Sequence, residues 1–211
     1  MGVKERRERE KSETRDKILD AARELFVTEG YEGVSMRRVA EKIEYSPTAI
    51  YVHFADKNEL FRELCHQDYA RLAEVFQGSA VPLDPVERLK QIGRTYIEFG
   101  MRYPNHYKFM FMTPHPPVEL NDEMREERGN PEVDAYAFLK WAVQEVINAG
   151  RFREGLADAE LVSQTVWAAV HGVISLNIAK CKDDWVDWRP LQDRAEAMLD
   201  AIMRGLLREA K

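Results

Sequence analysis

A short window near residue 50 holds the side chains best suited to contact nucleic acid. Thr48 carries a hydroxyl and a methyl group, Tyr51 a phenol, and His53 two ring nitrogens. Such groups bind base edges or phosphate oxygens of duplex DNA. Between Glu44 and Asp56 the sequence has no carboxylate, and a carboxylate there would repel the phosphate backbone. The window therefore indicates DNA binding.

Positive charge flanks this window on both sides. Arg37 and Arg38 precede it. Lys57 follows it in the first turn of a predicted helix, where exposed backbone N–H groups attract anions. The overall charge gives no such indication, because the formal net charge is −6 and residues 1–60 carry 12 Lys/Arg against 13 Asp/Glu. DNA binding must therefore depend on where the charges are placed.

Two predicted helices joined by a tight turn position these side chains. Ser35 is a favourable N-cap for the first of them. Ser46 followed by Pro47 indicates the cap and first position of a short second helix that ends near Phe54. Glu44 lies in the turn between them. This is the layout of a helix-turn-helix motif, whose second helix enters the major groove.

Helical periodicity continues through the rest of the chain, so the predicted fold is all-α with about nine helices. The first helix is predicted from about Thr14 to Glu29, with an apolar stripe that includes Ile18 and Phe26. Further helices are predicted from about residue 56 and over about 84–103, 105–112, 130–150, 158–180 and 190–209. The segment 113–130 is predicted to be the least regular part of the chain. We expect a DNA-binding domain at 1–60 and a helical ligand-binding and dimerisation domain at 61–211.

The stretch from Thr14 to Leu60 resembles the DNA-binding domain of the TetR (tetracycline-repressor) family. Its most specific part is the pattern Ile50-Tyr51-x-x-Phe54-x-x-Lys57-x-x-Leu60. The resemblance implies an all-helical homodimeric regulator whose C-terminal domain binds a small molecule that changes DNA affinity. By the same resemblance, the family's DNA-contacting positions are matched here by Arg37, Pro47, Thr48, Tyr51, His53 and Lys57. We expect Arg38 and Ser46 to contribute as well. Glu44 departs from the glycine that the family usually has in this turn.

The C-terminal half offers candidate ligand contacts. The pattern Trp167-x-x-x-His171-Gly172 resembles the Trp-His-Gly signature of one TetR C-terminal domain type. Apolar and aromatic side chains would favour an apolar or aromatic ligand. The candidate ligand contacts are Tyr96, Phe99, Tyr103, Tyr107, Phe111, Trp167 and His171. The alternative is that these side chains only fill a core.

The expected partners follow from this motif. A single short helix contacts few base pairs, so two copies on a near-palindromic operator are expected. The helices near 159–181 and 190–209 are the predicted dimer interface. We expect an apolar effector to release this repressor from DNA. The alternatives are an activator, or a helical module that binds small molecules or proteins without binding DNA.

Several other functions lack sequence support. The chain has no nucleophile elbow, phosphate-binding glycine loop or zinc-binding helix motif, so no enzyme, metal or cofactor is expected. Two cysteines are too few for a disulfide framework, and the N-terminus lacks an apolar secretory core. Residues 161–179 are uncharged but contain seven polar or glycine residues, which favours a buried helix over a membrane span. A cytoplasmic protein is expected.

Overall fold

The computed structural model describes residues 2–79 and 84–208. The regular secondary structure in this part of the chain consists of ten α-helices. Their bounds are α1 Val3–Gly33, α2 Met36–Lys42, α3 Pro47–Tyr51, α4 Lys57–Ser79, α5 Pro85–Arg102, α6 Pro104–Phe111, α7 Asp122–Glu127, α8 Ala135–Asn148, α9 Ala159–Lys180 and α10 Leu191–Leu206. An isolated β-bridge joins Phe152 to Leu207. The predicted all-α fold is confirmed. The predicted end of the last helix at residue 209 lies outside the described residues.

The first helix is longer than predicted. α1 begins at Val3, whereas apolar periodicity placed its start near Thr14. Its first turns bury no apolar stripe and are held instead by ion pairs one turn apart, such as Arg6–Glu10 at 2.7 Å. Each pair of this spacing stabilises an exposed helix by about 0.2–0.5 kcal/mol. Gly30 interrupts the helical dihedrals with a φ of 73°, close to the predicted end.

The segment 113–130, predicted to be the least regular part of the chain, contains the six-residue helix α7. The predicted start of the helix after it was wrong. The next helix begins at Ala135 and not at the predicted Asn130-Pro131, because Asp134 provides the cap. Its carboxylate accepts hydrogen bonds from the backbone N–H groups of Tyr136 and Ala137, at 2.9 and 3.1 Å.

One compact unit comprises the residues up to Asp68 together with Asn105–Asn121. Its core contains the predicted apolar stripe of α1, including Ile18 and Phe26, both fully buried. The ring of Phe26 meets that of Phe61 edge-on at 5.0 Å, and Phe61 lies 5.1 Å from Phe109 of α6. Burying such large side chains contributes about 1.5–3 kcal/mol each, so this core fixes the helices that precede and follow α3.

A buried charged cluster also holds this unit together. The guanidinium of Arg23 donates two hydrogen bonds to the Asp68 carboxylate, both at 2.9 Å. The Nδ1 atom of His106 lies 2.9 Å from the same carboxylate. Arg23 and Asp68 are 5% and 1% exposed. The pair joins α1 to α4, and loss of one member would remove the buried counterion of the other. Arg23 has a second partner in the exposed Asp20, at 2.6 Å.

The second compact unit comprises Tyr69–Pro104 and the chain from Asp122 onward. Within it α9 packs against α5, α8 and α10. Gly93 of α5 allows the closest approach: a β-carbon built there would lie 2.7 Å from Leu199 Cδ2 and 3.4 Å from Val170 Cγ1. A larger residue would therefore force the buried Leu199 side chain to shift.

The helix α9 is long and apolar enough to cross a membrane by length and composition, with a mean hydropathy of 1.3. Within the protein, however, it packs against three other helices of its unit. Ser163 on its inner face is fully buried and donates to the carbonyl of Ala159 at 2.6 Å. One face of α9 therefore lies in the core of its unit, but only 28% of its most apolar stretch is buried, less than the sequence predicts. Its exposed face is mixed, with Leu161 and Leu176 on the same helix as exposed Gln164 and Thr165.

The domain boundary that the sequence predicts at residue 60 is defined by function. It separates the residues expected to contact DNA from those expected to bind the ligand and form the dimer. The two compact units are instead defined by packing, and the first of them includes α6, which lies far along the chain from α1–α3. The division at residue 60 stays a prediction.

Candidate nucleic-acid interface and ligand-binding residues

The helices α2 and α3 have the predicted caps. The Ser35 hydroxyl oxygen accepts a hydrogen bond from the backbone N–H of Arg38 at 3.3 Å, and the Ser46 hydroxyl oxygen accepts one from Ala49 at 3.3 Å. Pro47 occupies the first turn of α3, where its missing N–H costs nothing. These local contacts start both helices where the sequence predicts.

A Schellman motif forms the turn between α2 and α3. The backbone N–H of Tyr45 donates to the carbonyl of Ala40 at 3.0 Å, and that of Glu44 donates to Glu41 at 3.3 Å. The motif requires a left-handed residue, and Glu44 has a φ of 61°. Glu44 thus adopts the conformation that glycine accepts most readily.

The helix α3 presents most of its surface to solvent. Of its five residues only Ile50 is buried. Thr48 and Tyr51 are exposed, as are Ser46 and Pro47 at its N-terminal end. The helix is therefore fixed by one apolar anchor and leaves its N-terminal side chains free to meet a groove.

His53 is partly packed. Its Nδ1 atom is buried and has no hydrogen-bond partner in the part of the chain that the structure describes. Burial lowers the pKa of His53, and the nearby charges of Lys11 and Arg15 lower it further. The ring is therefore neutral at pH 7 and offers at most one N–H donor to DNA.

Lys57 is held in place by the end of α1. Its ammonium donates to the backbone carbonyl of Tyr31 at 3.1 Å and lies 4.2 Å from the centre of the Tyr31 ring. The hydroxyl of Tyr31 in turn donates to the Asn58 side chain. A lysine ammonium has three donors, so Lys57 keeps donors for a phosphate while its position is fixed.

The two arginines of α2 carry ion-pair partners. Arg37 pairs with Glu41 at 3.0 Å, and Arg38 pairs with Glu29 at 2.5 Å. Hydrogen bonding to Glu29 raises the pKa of Arg38. Exposed pairs of this kind contribute little to stability, so exchanging a carboxylate for a phosphate costs little. These partners were not foreseen from the sequence.

Family models match both parts of the chain. The model described as bacterial regulatory proteins of the tetR family matches residues 18–64. The model described as tetracyclin repressor-like, C-terminal domain matches residues 89–206, more than half of the chain. The chain belongs to the TetR family. Members of this family are transcriptional regulators, so this TetR-family protein is a regulator and not an enzyme.

Similar proteins agree with this assignment. The transcriptional repressor AcnR of Corynebacterium diphtheriae is 47% identical over 66 residues, which cover 31% of this chain and 35% of that protein. The chain thus matches only about a third of that repressor's length. A TetR-family regulator from Marinobacter aquaeolei VT8 superposes with a TM-score of 0.75 at 15% identity, over 97% of this chain and 100% of that one. The TetR-family regulator PfmR of Thermus thermophilus superposes with a TM-score of 0.69 at 24% sequence identity. The match covers 92% of this chain and 97% of that one. These likenesses show the fold.

The structure brings together three of the seven predicted ligand contacts. The indole N–H of Trp167 donates to the Tyr96 hydroxyl at 3.0 Å, and that hydroxyl lies 3.3 Å from His171 Nδ1. Tyr96 is 3% exposed. Burial lowers the pKa of His171, which is therefore neutral at pH 7. The Tyr96 hydroxyl thus links the other two side chains, so a ligand would compete for these hydrogen bonds.

The other four predicted contacts are distributed differently. Phe99 and Tyr103 of the second unit have ring centres 5.4 Å apart. Tyr107 and Phe111 form a separate ring pair at 5.1 Å within the first unit. Tyr107 is fully buried. The sequence pattern did not distinguish these two groups, because aromatic periodicity does not show which core a side chain joins.

A groove that the sequence did not indicate lies on the second unit. It has a volume of about 490 Å³ and is lined by the end of the α7–α8 loop, the outer face of α8 and the first turn of α9. Glu160 lies in it, bound to the Tyr136 hydroxyl at 2.6 Å and to the Lys140 ammonium at 3.0 Å. These hydrogen bonds hold the pKa of Glu160 at about 2. The groove is more polar than the apolar ligand site expected.

Proposed function

We propose that this TetR-family protein is a dimeric repressor that binds a near-palindromic operator and is released by a small apolar or aromatic ligand. The observation that carries the proposal is α3, a capped helix of five residues with one buried anchor and exposed Thr48 and Tyr51. A helix built this way suits the major groove, where its N-terminal side chains reach base edges. Bacterial DNA lies in the cytoplasm, and we place the protein there.

The side chains around α3 suit two kinds of DNA contact: contacts with phosphates, which position the helix, and contacts with bases, which give sequence specificity. Lys57 is fixed by the Tyr31 carbonyl, which suits a phosphate contact of constant geometry. Tyr51 is 54% exposed, and its hydroxyl suits a second phosphate oxygen. Thr48 lies nearer the N-terminus of α3 and offers its methyl and hydroxyl groups to a base edge.

A mobility-shift assay with DNA flanking the protein's own coding region tests this assignment. Lys57→Ala and Tyr51→Phe should weaken binding to all sequences alike, and Lys57→Ala should reduce the salt slope by about one. Thr48→Ala should change base preference at one position of each half-site. Lys182→Ala removes an exposed cation outside the first unit and serves as the control. Binding by all three variants that matches wild type would refute the assignment of α3 to the groove.

The proposed dimer forms through the outer faces of α9 and α10. Leu161 and Leu176 of α9 are 54% and 50% exposed. Gly172 lies between them, and a β-carbon built there meets no atom within 4 Å. On α10, Gly205 is equally open. Small residues on helix faces allow two backbones to approach closely, and two helices from each subunit would give a four-helix interface. Dimerisation is typical of the family.

A charge on this face should break the dimer. Ile202 is partly exposed beside the buried residues Leu199 and Met203 of α10. Ile202→Asp should shift the protein toward monomer, because dimerisation would desolvate the carboxylate. Gln144→Asp adds the same charge on α8 and should leave the dimer intact. Sedimentation showing an unchanged Ile202→Asp dimer would place the interface elsewhere.

The proposed effector binds within the second unit near Tyr96, Trp167 and His171. A ligand with an apolar body and one or two polar atoms would exchange hydrogen bonds with this triad. Preferential binding to the DNA-incompetent arrangement would lower operator affinity, typically by about 5–150-fold. Compounds found by thermal stabilisation are then added to the DNA complex. If the stabilising compounds leave DNA affinity unchanged or raise it, the released-repressor proposal is wrong.

A further inference from the structure

The first turns of α1 extend beyond the apolar core of their unit. Residues 4–13 are all exposed, whereas the core begins at Ile18. These residues keep helical geometry continuous with the rest of α1. A rigid helix of this kind carries its side chains at fixed positions relative to α3 and α4.

Four cations share one face of this extension, which we call the basic face. Its members are Lys4, Arg7, Lys11 and Arg15, spaced three, four and four residues apart. Residues at this spacing lie one above another on a helix. The same face continues as the apolar stripe that begins at Ile18. Where α1 leaves the core, its inner face thus changes from apolar residues to cations.

Two carboxylates of the extension pair with cations outside the basic face, whereas Glu8 lies on that face, four residues after Lys4 and three before Lys11. Glu10 pairs with Arg6 at 2.7 Å and Glu13 pairs with Arg9 at 3.7 Å, both away from the basic face. Lys4 has only a long pair, at 4.0 Å, with Glu8. Within the described residues, no carboxylate lies within ion-pair distance of Arg7 or Lys11. Two cations of the basic face are thus available to an external anion.

The basic face begins beside the DNA-contacting elements. The guanidinium of Arg15 lies 5.0 Å from the ring centre of Phe54 and 2.8 Å from the Glu63 carboxylate of α4. Phe54 directly follows His53, a predicted contact residue at the end of α3. The effect of Lys11 and Arg15 on the pKa of His53 places their charges close to that ring. The basic face therefore starts at the end of α3.

We propose that the basic face of α1 binds the phosphate backbone of duplex DNA just outside the half-site contacted by α3. The helix rise places Lys4 about 16 Å from Arg15, the length of about five base pairs. In a chain of net charge −6, this run of cations is complementary to a polyanion and continuous with the proposed DNA surface. The inference rests on the proposed function, because it extends the same interface.

The expected contribution is an electrostatic one without sequence preference. Two phosphates neutralised by Arg7 and Lys11 would release their counterions on binding. The slope of log affinity against log salt should therefore change by about two per subunit. The contribution should appear only when DNA extends past the half-sites.

Comparing binding to a short and an extended duplex distinguishes the contribution of the basic face from that of α3. Mobility-shift assays of the double variant Arg7→Gln/Lys11→Gln with successively shorter duplexes define the shortest duplex that it binds. A second duplex extends this one by about ten base pairs of arbitrary sequence at each end. Wild type should bind the extended duplex about tenfold more tightly at about 50 mM salt. The double variant Arg7→Gln/Lys11→Gln should lose this gain and bind the short duplex as wild type does. Arg6→Gln/Arg9→Gln removes the same charge from other faces of the helix and should keep the gain.

The outcomes distinguish the two proposals. Wild-type protein that binds neither duplex would overturn the proposed function and this inference together. Equal affinity of wild type for the short and extended duplexes would overturn this inference alone. So would equal losses in the two double variants, because general charge and not the basic face would then be responsible. Circular dichroism spectra matching wild type verify that the exposed substitutions leave the fold unchanged.

Discussion

The left-handed conformation of Glu44 predicts that a glycine there would stabilise the protein. A non-glycine residue in this conformation costs about 1–2 kcal/mol. Glycine removes that cost but loses about 0.5–1 kcal/mol more backbone entropy on folding. Both hydrogen bonds of the turn are made by backbone atoms and survive the substitution. The expected net gain for Glu44→Gly is about 0.5–1 kcal/mol.

Equilibrium urea denaturation followed by circular dichroism measures this gain. Glu44→Gln is the matched control, because it removes the charge and keeps the β-carbon. Glu44→Asn should fall between the two, since asparagine tolerates the left-handed region better than glutamine does. For a chain of this size, the gain in Glu44→Gly corresponds to about 1–4 °C in Tm.

Measuring DNA affinity as well as stability distinguishes the effect of the Glu44 charge from the effect of its backbone conformation. Both Glu44→Gly and Glu44→Gln remove a carboxylate beside α3 and should raise DNA affinity by similar factors. Only Glu44→Gly should raise stability. A glycine variant less stable than the glutamine variant would refute the idea that this turn is strained.

Packing and charge lead to three further predictions. Gly93→Ala should lower the free energy of unfolding by about 1–2 kcal/mol, because its β-carbon meets Leu199 Cδ2. Gly78→Ala on α4 is the control, because a β-carbon there meets no atom within 4 Å, and it should cause no such loss. Urea denaturation of both variants measures the difference. Asp68→Leu should lower the free energy of unfolding by up to about 3–5 kcal/mol, because Arg23 loses its buried counterion and keeps only its pair with the exposed Asp20, and the double variant Arg23→Met/Asp68→Leu should cost less in the same assay. The lowered folded-state pKa of His171 means that the unfolded chain binds its proton more readily. Stability should therefore fall as pH drops from about 7 through the ordinary histidine pKa of about 6.5, and His171→Gln should lose less over the same range in pH-dependent thermal melts.

Local chemistry made the helix-turn-helix predictable. The caps Ser35 and Ser46 depend on hydroxyl groups within three residues of the N–H groups they bind, so the sequence contains all the information. The same holds for Asp158, whose carboxylate caps α9. The glycine missing at position 44 was likewise visible as a departure, and the structure places the left-handed residue there.

Contacts between distant residues were not predictable in this way. The carbonyl that holds the Lys57 ammonium belongs to Tyr31, on a different helix. The aromatic residues around position 100 also appeared as one group in sequence, although Tyr107 packs in the first unit and Tyr96 in the second. The start of α1 was missed for another reason: exposed ion pairs sustain its first turns, and they leave no apolar periodicity.

The hydrogen bond between Trp167 and Tyr96 gives the protein an intrinsic optical reporter. Indole emission depends on the polarity around the ring and on its hydrogen-bonding partner, and here that partner is the hydroxyl next to His171. Trp185 is 71% exposed, so a dissolved quencher such as iodide suppresses its emission first. The emission that remains in the presence of the quencher comes mainly from the less accessible tryptophans, which include Trp167. A compound that displaces the Tyr96 hydroxyl should therefore shift the fluorescence spectrum of the unlabelled protein.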